Sequence, residues 1–514
     1  MHSLFTFGDL KQTIRRLGRE RGFTVTVLVT LALCIAANVA IFAVVDAILV
    51  RSLPFPHAEQ LVTTINSYPN AGVERAGSSL PNYYDRRVAI KAFASTAIMQ
   101  GGSAIVGEAG SPNRIDRDRV SPEFFSTLGI PLAMGRSFTD DEMVYARSGV
   151  AVITDGFWRN NFNADPTVLG KQFQVDGLPV TVVGVLPKGF RYLSSRAKFF
   201  IPAASNLDER GVDRRHSNNF QLIARLAPGA TLADARAQID AFNLKQLSDE
   251  PYAKLLKGAG YHTIVNSLHD DHVRAVRPIL LLLEGDVLSL LLIGGVNLVN
   301  LLLIRASGRA KELAVRQALG ASRRHITRDV MLETLVLSIV GGLLGLVGGA
   351  VGIRLLSVLG TDQLPLGATI VFDGRLAVLA LLGSVLVGVA LALPIIWFNL
   401  HHRLAPVLQA GSRGGTVSLA VHRVRHGFII AQVALAFVLL AGAGMLGVSL
   451  QRVLATNPGF QAGHLLTGQI SFPWKKYPEA APRLAFIERL LTDLRAQPGV
   501  TSAGISSGLP FYGR

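Results

Sequence analysis

Few residues in this sequence stand at spacings that would support catalysis or nucleotide binding. The phosphate-binding pattern G-x-x-x-x-G-K-[ST] is absent, so no glycine-rich loop is placed to hold phosphates with its backbone N–H groups. Gly170-Lys171 is the nearest approach, but Gln172 follows it and the upstream glycine is missing. We therefore predict no catalytic residue and no cofactor site in this chain, and any nucleotide must bind to another polypeptide.

Four histidines in the segment 399–427 are the other candidates for chemistry, here as metal ligands. His401 and His402 are adjacent, whereas His422 and His426 stand four residues apart and would share one face of a helix. No acidic residue accompanies them in this segment, which is rich in arginine. The pattern favours a solvated basic loop over a metal site.

Polar amides and closely spaced glycines interrupt the apolar runs of the chain. The amides are Asn38, Asn297 and Asn300, and the glycines are Gly341, Gly345 and Gly349. An amide in lipid needs a hydrogen-bond partner, so helix packing is favoured over a substrate pathway for the asparagines. Glycines at every fourth residue let another helix approach closely, either within the chain or from a second copy.

Composition and hydropathy identify the elements that carry these residues. The chain has 514 residues, 49% of them hydrophobic and 17% charged, and its mean hydropathy is +0.38. About 25% charged residues would be typical of a soluble protein. Five charge-free windows are long enough to cross a bilayer. They are 23–45, 287–304, 334–353, 376–398 and 428–450.

The single cysteine, Cys34, excludes an internal disulfide framework and a cysteine-built zinc site.

The basic excess of the chain predicts its orientation in the bilayer. The formal net charge is +16, and the excess of Lys and Arg is concentrated in 1–22, 305–333 and 399–427. The positive-inside rule places these three segments in the cytoplasm and the N-terminus with them. Charge distributed in this way reflects membrane topology and not binding to nucleic acid, so nucleic acid is excluded as a partner. The lipid bilayer is the expected partner.

The long segment after the first window reads as a folded α+β domain on the other side of the membrane. Alternating or β-branched runs predict strands at 150–154, 172–175, 180–185 and 220–226, with a turn at Asp176-Gly177. Thr231 and Asp234 then form a capping-box pattern ahead of a helix. We expect two α/β lobes here, with the part near 100–200 inserted into the other. The fold class is thus an α-helical membrane protein with five transmembrane helices and a large α+β extracytoplasmic domain.

Two basic segments have amphipathic spacing. Leu10, Ile14 and Leu17 share one face of the first, which suits a helix lying among lipid headgroups. The second, 305–324, places Leu313 and Leu319 among solvated arginines and lysines. On its residues alone, a loop lying on the membrane surface is favoured over a segment that binds a protein.

Several motifs resemble those of one family. The string Lys311-Glu-Leu-Ala-Val-Arg-Gln-Ala-Leu-Gly-Ala-Ser-Arg-Arg324, which follows a transmembrane window, resembles the signature of FtsX-like/MacB-like ABC transporter permeases. Val120-Ser-Pro-Glu-Phe-Phe125 and Val183-Gly-Val-Leu-Pro-Lys-Gly-Phe190 are similar to parts of the MacB-like periplasmic core domain. The resemblance runs through nearly the whole chain in the order that the family has.

This resemblance reverses the interpretation of the second basic segment, because in the family it is a helix that contacts a separate cytoplasmic ABC ATPase. The coupling residues it implies are Arg309, Lys311, Glu312, Leu313, Ala314, Arg316, Leu319 and Gly320. ATP and magnesium would bind to that partner, and a second permease copy or a periplasmic protein would be a further partner. The implied function is a bacterial inner-membrane permease subunit that couples ATP hydrolysis to motion of periplasmic domains, as mechanotransmission or export. Two alternatives stay open: a membrane-anchored binding or regulatory protein without a working ATPase, and an exporter moving lipid, peptide or drug through the helix bundle.

The resemblance also predicts the order of domains. We expect a cytoplasmic amphipathic elbow at 1–22, a transmembrane helix at 23–45, a MacB-like periplasmic core domain at 46–278, an FtsX-like permease domain at 279–400 holding three transmembrane helices, a cytoplasmic linker at 401–427, a transmembrane helix at 428–450 and the start of a second periplasmic domain at 451–514. Gly22-Phe23 recurs as Gly427-Phe428, which is similar to the duplicated branch of the family. The second copy is then expected to be truncated.

Overall fold

The computed structural model describes residues 7–107, 113–249, 252–308, 323–360, 370, 372–401, 419–456, 465–468, 470 and 479–506. The chain divides into two compact units. One, the helical unit, consists of Met1–Arg51 with Ala275–Thr456, and the other, the sheet unit, consists of Ser52–Arg274 with Asn457–Arg514.

The described helices are α1 (Phe7–Arg19), α2 (Arg21–Val45), α3 (Leu80–Ala89), α4 (Phe124–Leu128), α5 (Asp155–Phe162), α6 (Leu232–Asp249), α7 (Ala253–Gly258), α8 (Leu268–Val273), α9 (Arg277–Gly308), α10 (Arg323–Gly360), α11 (Gly374–His401), α12 (Leu419–Ala455) and α13 (Ala480–Arg495). The described strands are β1 (Leu61–Tyr68), β2 (Val73–Ala76), β3 (Phe93–Val106), β4 (Asn113–Val120), β5 (Met134–Gly135), β6 (Val150–Ile153), β7 (Gln172–Val175), β8 (Leu178–Val185), β9 (Phe199–Pro202), β10 (Gln221–Leu226) and β11 (His262–Ser267).

Five helices of the helical unit are long and apolar enough to cross a membrane. The candidate spans are Arg21–Val50, Arg277–Arg305, Thr327–Leu355, Gly374–Trp397 and His426–Ala455, which confirms the five predicted membrane helices. The first span includes a short π-helical turn, Asp46–Val50, directly after α2. Helix α2 packs against α9, α10 and α11, and Leu31, Ile35, Leu298 and Leu337 lie in the shared apolar core.

In the sheet unit, one mixed sheet connects all the described strands. Its order is β11-β1-β10-β3-β4-β9-β6-β8-β5, with β2 paired to β1 and β7 paired to β3 and β8. The predicted strands are confirmed as β6, β7, β8 and β10. Asp176 and Gly177, with φ of 51° and 74°, form the predicted turn, because a two-residue hairpin loop of this kind needs positive φ at both positions.

The expectation of two α/β lobes is wrong in one respect. Residues between β3 and β10 are indeed inserted, but their strands continue the same sheet, since β4 pairs antiparallel with β3 and parallel with β9. The sequence could not show the pairing of β4 with β9, because it joins strands far apart in the chain.

The capping box before α6 is confirmed. The Asp234 backbone N–H donates to Thr231 Oγ1 at 3.2 Å, and the Thr231 backbone N–H donates to Asp234 Oδ2 at 2.8 Å.

A buried carboxylate lies on β4 inside this unit. Asp118 is buried, and its Oδ2 accepts a hydrogen bond from Ser195 Oγ at 2.7 Å. Burial raises the pKa of Asp118 to about 6, although the Ser195 hydroxyl and the Arg117 guanidinium act in the opposite direction. The folded state therefore holds a proton on this group more tightly than the unfolded chain does.

Asp118→Asn is expected to stabilise the full chain at pH 7.5 and to leave its stability unchanged near pH 4. Because the pKa is raised on folding, the free energy of unfolding of the natural protein falls as pH rises from about 4 to about 6, and the variant lacks this loss. The gain above pH 6 is about 3 kcal/mol. Thermal unfolding at several pH values measures it, and an equal difference at pH 4 and pH 7.5 would contradict the explanation.

Candidate functional site

All eight predicted coupling residues, from Arg309 to Gly320, lie outside the described residues. The structure describes both flanks of that segment, the end of α9 and the beginning of α10. Charged contacts attach both flanks to other helices of the helical unit.

An arginine at the end of α9 joins three helices. Arg305 Nε lies 2.7 Å from Glu20 Oε2, which precedes α2, and Arg305 Nη1 also pairs with Glu333 of α10. The guanidinium carbon lies 4.4 Å from the centre of the Phe23 ring. Only 11% of the Arg305 side chain and 17% of the Glu333 side chain are exposed. We call these four residues the Arg305 cluster; it binds the end of α9 to both α2 and α10.

Two further ion pairs connect α10 to the amphipathic helix α1. Arg328 Nη2 lies 2.5 Å from Asp9 Oδ2, and Arg16 Nη1 lies 3.6 Å from Asp329 Oδ2. Partly exposed pairs of this kind contribute little individually, but two of them with opposite polarity fix the orientation of α1 against α10. Both flanks of the coupling segment are therefore attached to the N-terminal helices.

The glycine stripe of α10, formed by Gly341, Gly345 and Gly349, lies in close contact with α2. An added Cβ would lie 2.7 Å from Leu31 Cβ at Gly341, 2.8 Å from Ile35 Cβ at Gly345 and 2.7 Å from Val39 Cγ1 at Gly349. The predicted close approach is thus made within the chain, against α2. On another face of α10, a Cβ on Gly342 would lie 2.2 Å from Ser384 Oγ of α11.

The three asparagines have different surroundings. Asn38 Nδ2 donates to the carbonyl oxygens of Cys34 and Val287, both at 2.9 Å, so it joins α2 to α9. Asn300 Oδ1 is buried without a hydrogen-bond partner among the described residues. Asn297 is exposed on α9.

Sequence reasoning missed a second charged cluster, at the opposite end of α2 from Glu20. Arg51 Nε lies 2.7 Å from Asp46 Oδ2, and Arg51 Nη2 lies 2.8 Å from Asp373 Oδ2. The Leu376 backbone N–H and Arg51 lower the pKa of Asp373, which precedes α11. Sequence reasoning also missed Glu20, Arg305 and Glu333. Charged residues at the edges of apolar windows were the available signal, but their pairing required the fold.

Metal-binding groups of three or more His, Cys, Asp or Glu side chains are not found among the residues that the structure describes. Residues 402–418, which include His402, lie outside that part of the chain.

Two family models match the chain. The MacB-like periplasmic core domain matches residues 24–242, and the FtsX-like permease C-terminal domain matches residues 287–403. The macrolide export ATP-binding/permease protein MacB of Burkholderia thailandensis is 26% identical over 272 residues, which cover 52% of this chain and 39% of that protein. The ABC transporter permease YknZ of Bacillus subtilis is 23% identical over 245 residues, covering 46% of this chain and 57% of that protein. The chain thus spans about half the length of the curated relatives it matches.

Solved structures that match part of the chain include the periplasmic region of MacB from Actinobacillus actinomycetemcomitans. It is 13% identical with a TM-score of 0.31, and the match covers 42% of this chain and 94% of that one. The extracellular domain of the YknZ transporter from Gram-positive bacteria is 12% identical with a TM-score of 0.27, covering 40% of this chain and 99% of that one.

Proposed function

Because the chain belongs to the FtsX-like ABC transporter permeases that carry a MacB-like periplasmic core domain, we propose that it couples ATP hydrolysis by a separate ATPase to motion of its sheet unit. The two matching models describe a periplasmic and a permease domain, and neither describes an ATPase. We propose that this ATPase, with its bound ATP and magnesium, is a second polypeptide in the cytoplasm.

The observation that carries the proposal is the attachment of both flanks of 309–322 to neighbouring helices of the helical unit. Arg305, on the N-terminal flank, pairs with Glu20 and Glu333. Arg328 and Asp329, on the C-terminal flank, pair with α1. A displacement of the segment between them would be passed to α2, α9 and α10 together, because each flank is held by charged contacts to a different helix.

Within the sheet unit, the residues that follow the first span are attached to β10. Arg225 of β10 holds the connector that follows the first span, since its guanidinium donates to the carbonyl oxygens of Pro56 at 2.9 Å and His57 at 3.1 Å. The same guanidinium donates to the Thr127 carbonyl oxygen at 2.9 Å. Pro56 and His57 are therefore fixed to the sheet, and a movement of these two residues would move the sheet.

We infer the bacterial inner membrane as the location, with the N-terminus in the cytoplasm. The support is the basic excess in 1–22, 305–333 and 399–427, which the positive-inside rule places on the cytoplasmic side. The sheet unit is then extracytoplasmic. The name of the Burkholderia relative, macrolide export, favours export as the process that the motion serves.

Ala314→Asp and Leu319→Asp are each expected to reduce recovery of an ABC ATPase that co-purifies with the tagged full chain from detergent extracts. Burying an unpaired carboxylate in an interface is costly, and a loss of about tenfold or more is typical for a central contact. Mass spectrometry and immunoblotting of the eluate measure the recovery.

Ser412→Asp is the matched control, because it adds the same charge to another predicted cytoplasmic loop, and recovery should stay unchanged. Equal recovery with all three variants would indicate that 309–322 lies on the membrane surface and does not bind the ATPase. Absence of any ABC ATPase from the unmodified chain would contradict the proposed function itself.

A further inference from the structure

Two neighbouring arginines of β4 have no anionic partner among the described residues. Arg117 and Arg119 are two residues apart, so their side chains share one face of the sheet, and both are partly buried. Arg117 donates no hydrogen bond to a described residue, and its Nε is buried without an acceptor. Arg119 donates to Gln100 Oε1 at 3.1 Å and to the Ala204 carbonyl oxygen, which are both neutral acceptors. This face of β4 therefore carries two positive charges that no described carboxylate contacts.

The acidic residues whose charges reach Arg117 are engaged elsewhere. Asp118 lies on the opposite face of β4, where a serine hydroxyl donates to it. Asp176 Oδ1 accepts from the Ile105 backbone N–H at 2.9 Å. Burial lowers the pKa of Arg117, and the charge of Arg119 acts in the same direction, whereas both carboxylates oppose this shift without direct contact. An unpaired and partly buried cation lowers the stability of the fold unless an anion binds to it.

A glycine of β3 leaves Arg117 open on one side. Gly102 lies directly opposite Arg117 in the antiparallel pair, and it is exposed. A Cβ at this position would lie 3.4 Å from Arg117 Nη1 and 3.5 Å from Cζ, so the guanidinium lies over the glycine. The pairing of β3 with β4 runs through this point without a bulge. Glycine inside a regularly paired strand indicates a place where another group approaches closely.

The other side of the two arginines is apolar. Parallel pairing places Phe199 of β9 opposite Arg117 and Ile201 opposite Arg119. Phe199 is buried in an apolar cluster, and Ile201 packs against the same cluster. An apolar wall lowers the local dielectric constant. It therefore strengthens the attraction between the two guanidinium groups and an anion that enters over the open glycine.

We propose that Arg117 and Arg119, with Gly102 as the open side, form a binding site for an oxyanion, the carboxylate or phosphate group of a ligand. We call these three residues the β4 arginine site. Two positions on one face of a strand are about 7 Å apart, and an oxyanion can accept from a different arginine with each of two oxygens. Arg117 supplies the N–H groups that are unpaired among the described residues, while Gln100 orients Arg119. The proposal goes beyond the proposed function, because it requires neither an ATPase nor transport.

Binding of inorganic phosphate and of acetate to the full chain in detergent tests the proposal, with the ionic strength held constant by sodium chloride. Calorimetric titration and the rise in unfolding temperature with anion concentration measure the affinity for each anion. Saturable binding of phosphate alone, of acetate alone or of both supports the site and identifies the group it takes. Arg117→Gln should weaken this binding by about tenfold or more, because it removes charged hydrogen bonds to the anion.

Arg114→Gln is the matched control for the loss of charge. Arg114 is exposed on the opposite face of the same strand, where it donates to Ser103 Oγ at 2.8 Å. Its replacement removes one positive charge close to the β4 arginine site without changing the site itself. The anion affinity should then change by less than about twofold, since exposed charges are screened by salt.

Gly102→Val tests the open side while both arginines stay in place. The added side chain covers the Arg117 guanidinium and should also weaken anion binding by about tenfold, whereas valine suits a strand and should not lower the unfolding temperature. Arg117→Gln should raise the unfolding temperature of the anion-free chain, because it removes an unpaired cation. The proposal would be overturned by the absence of saturable binding, by equal affinities of Arg117→Gln and Arg114→Gln, or by undiminished binding to Gly102→Val. A lower unfolding temperature of anion-free Arg117→Gln would overturn it too, since the arginine would then stabilise the fold by itself.

Discussion

Gly345→Leu is expected to prevent the helical unit from packing, with a loss of about 3 kcal/mol or more in stability. A Cβ at this position already lies 2.8 Å from both Cβ and Cγ2 of Ile35 and 3.2 Å from the Ala32 carbonyl oxygen. These atoms belong to α2 itself, so the added side chain can be accommodated only by moving the two helices apart. Thermal unfolding in detergent, with size-exclusion chromatography of the tagged full chain, measures the loss.

Gly383→Leu is the matched control for this substitution. Gly383 lies in α11, and an added Cβ there would meet no atom within 4 Å. Leucine also favours helix over glycine by roughly 0.5–1 kcal/mol, so this variant should be at least as stable as the natural chain. Gly345→Ala should fall between the two, because it adds only the Cβ. If Gly345→Leu and Gly383→Leu unfold at the same temperature, the close contact between α10 and α2 is not what holds the unit together.

The glycine stripe shows how far the sequence leads and where it stops. Spacing of four residues predicts a close helix approach, but the same spacing fits a contact within the chain and a contact between two copies. Only the fold identifies Leu31, Ile35 and Val39 as the neighbours. The same limit applies to the sheet unit, where local alternation predicts β6, β7 and β8 but contains no information on their order in the sheet.

Charged residues show even more clearly that the sequence does not predict contacts between distant segments. Glu20, Arg305 and Glu333 stand at the ends of three different apolar windows, and each alone reads as an ordinary flanking charge. Their contact depends on the packing of α2, α9 and α10, which depends in turn on the contacts of many apolar residues. The sequence predicts the membrane helices because hydropathy is local, whereas ion pairs between distant segments follow from tertiary structure alone.

Arg305→Ala is expected to destabilise the helical unit by about 3–5 kcal/mol, because it leaves Glu333 partly buried without its cationic partner. Glu20 would also lose the contact that Arg305 makes at 2.7 Å. Arg19→Ala is the control: Arg19 is exposed on α1, and its replacement should change the stability by less than about 0.5 kcal/mol. Thermal unfolding of the full chain in detergent compares the two.

The double variant Arg305→Met, Glu333→Gln separates the charge effect from a loss of packing. Methionine keeps an apolar stem beside Phe23, and glutamine removes the carboxylate that would otherwise stay unpaired, so most of the lost stability should return. If the double variant is as unstable as Arg305→Ala, the guanidinium stabilises the unit through its shape and its contact with the Phe23 ring. Recovery of stability without recovery of the proposed ATPase-driven motion would instead indicate that the charged contacts transmit force from 309–322. Packing alone would then hold the helices together without coupling their movements.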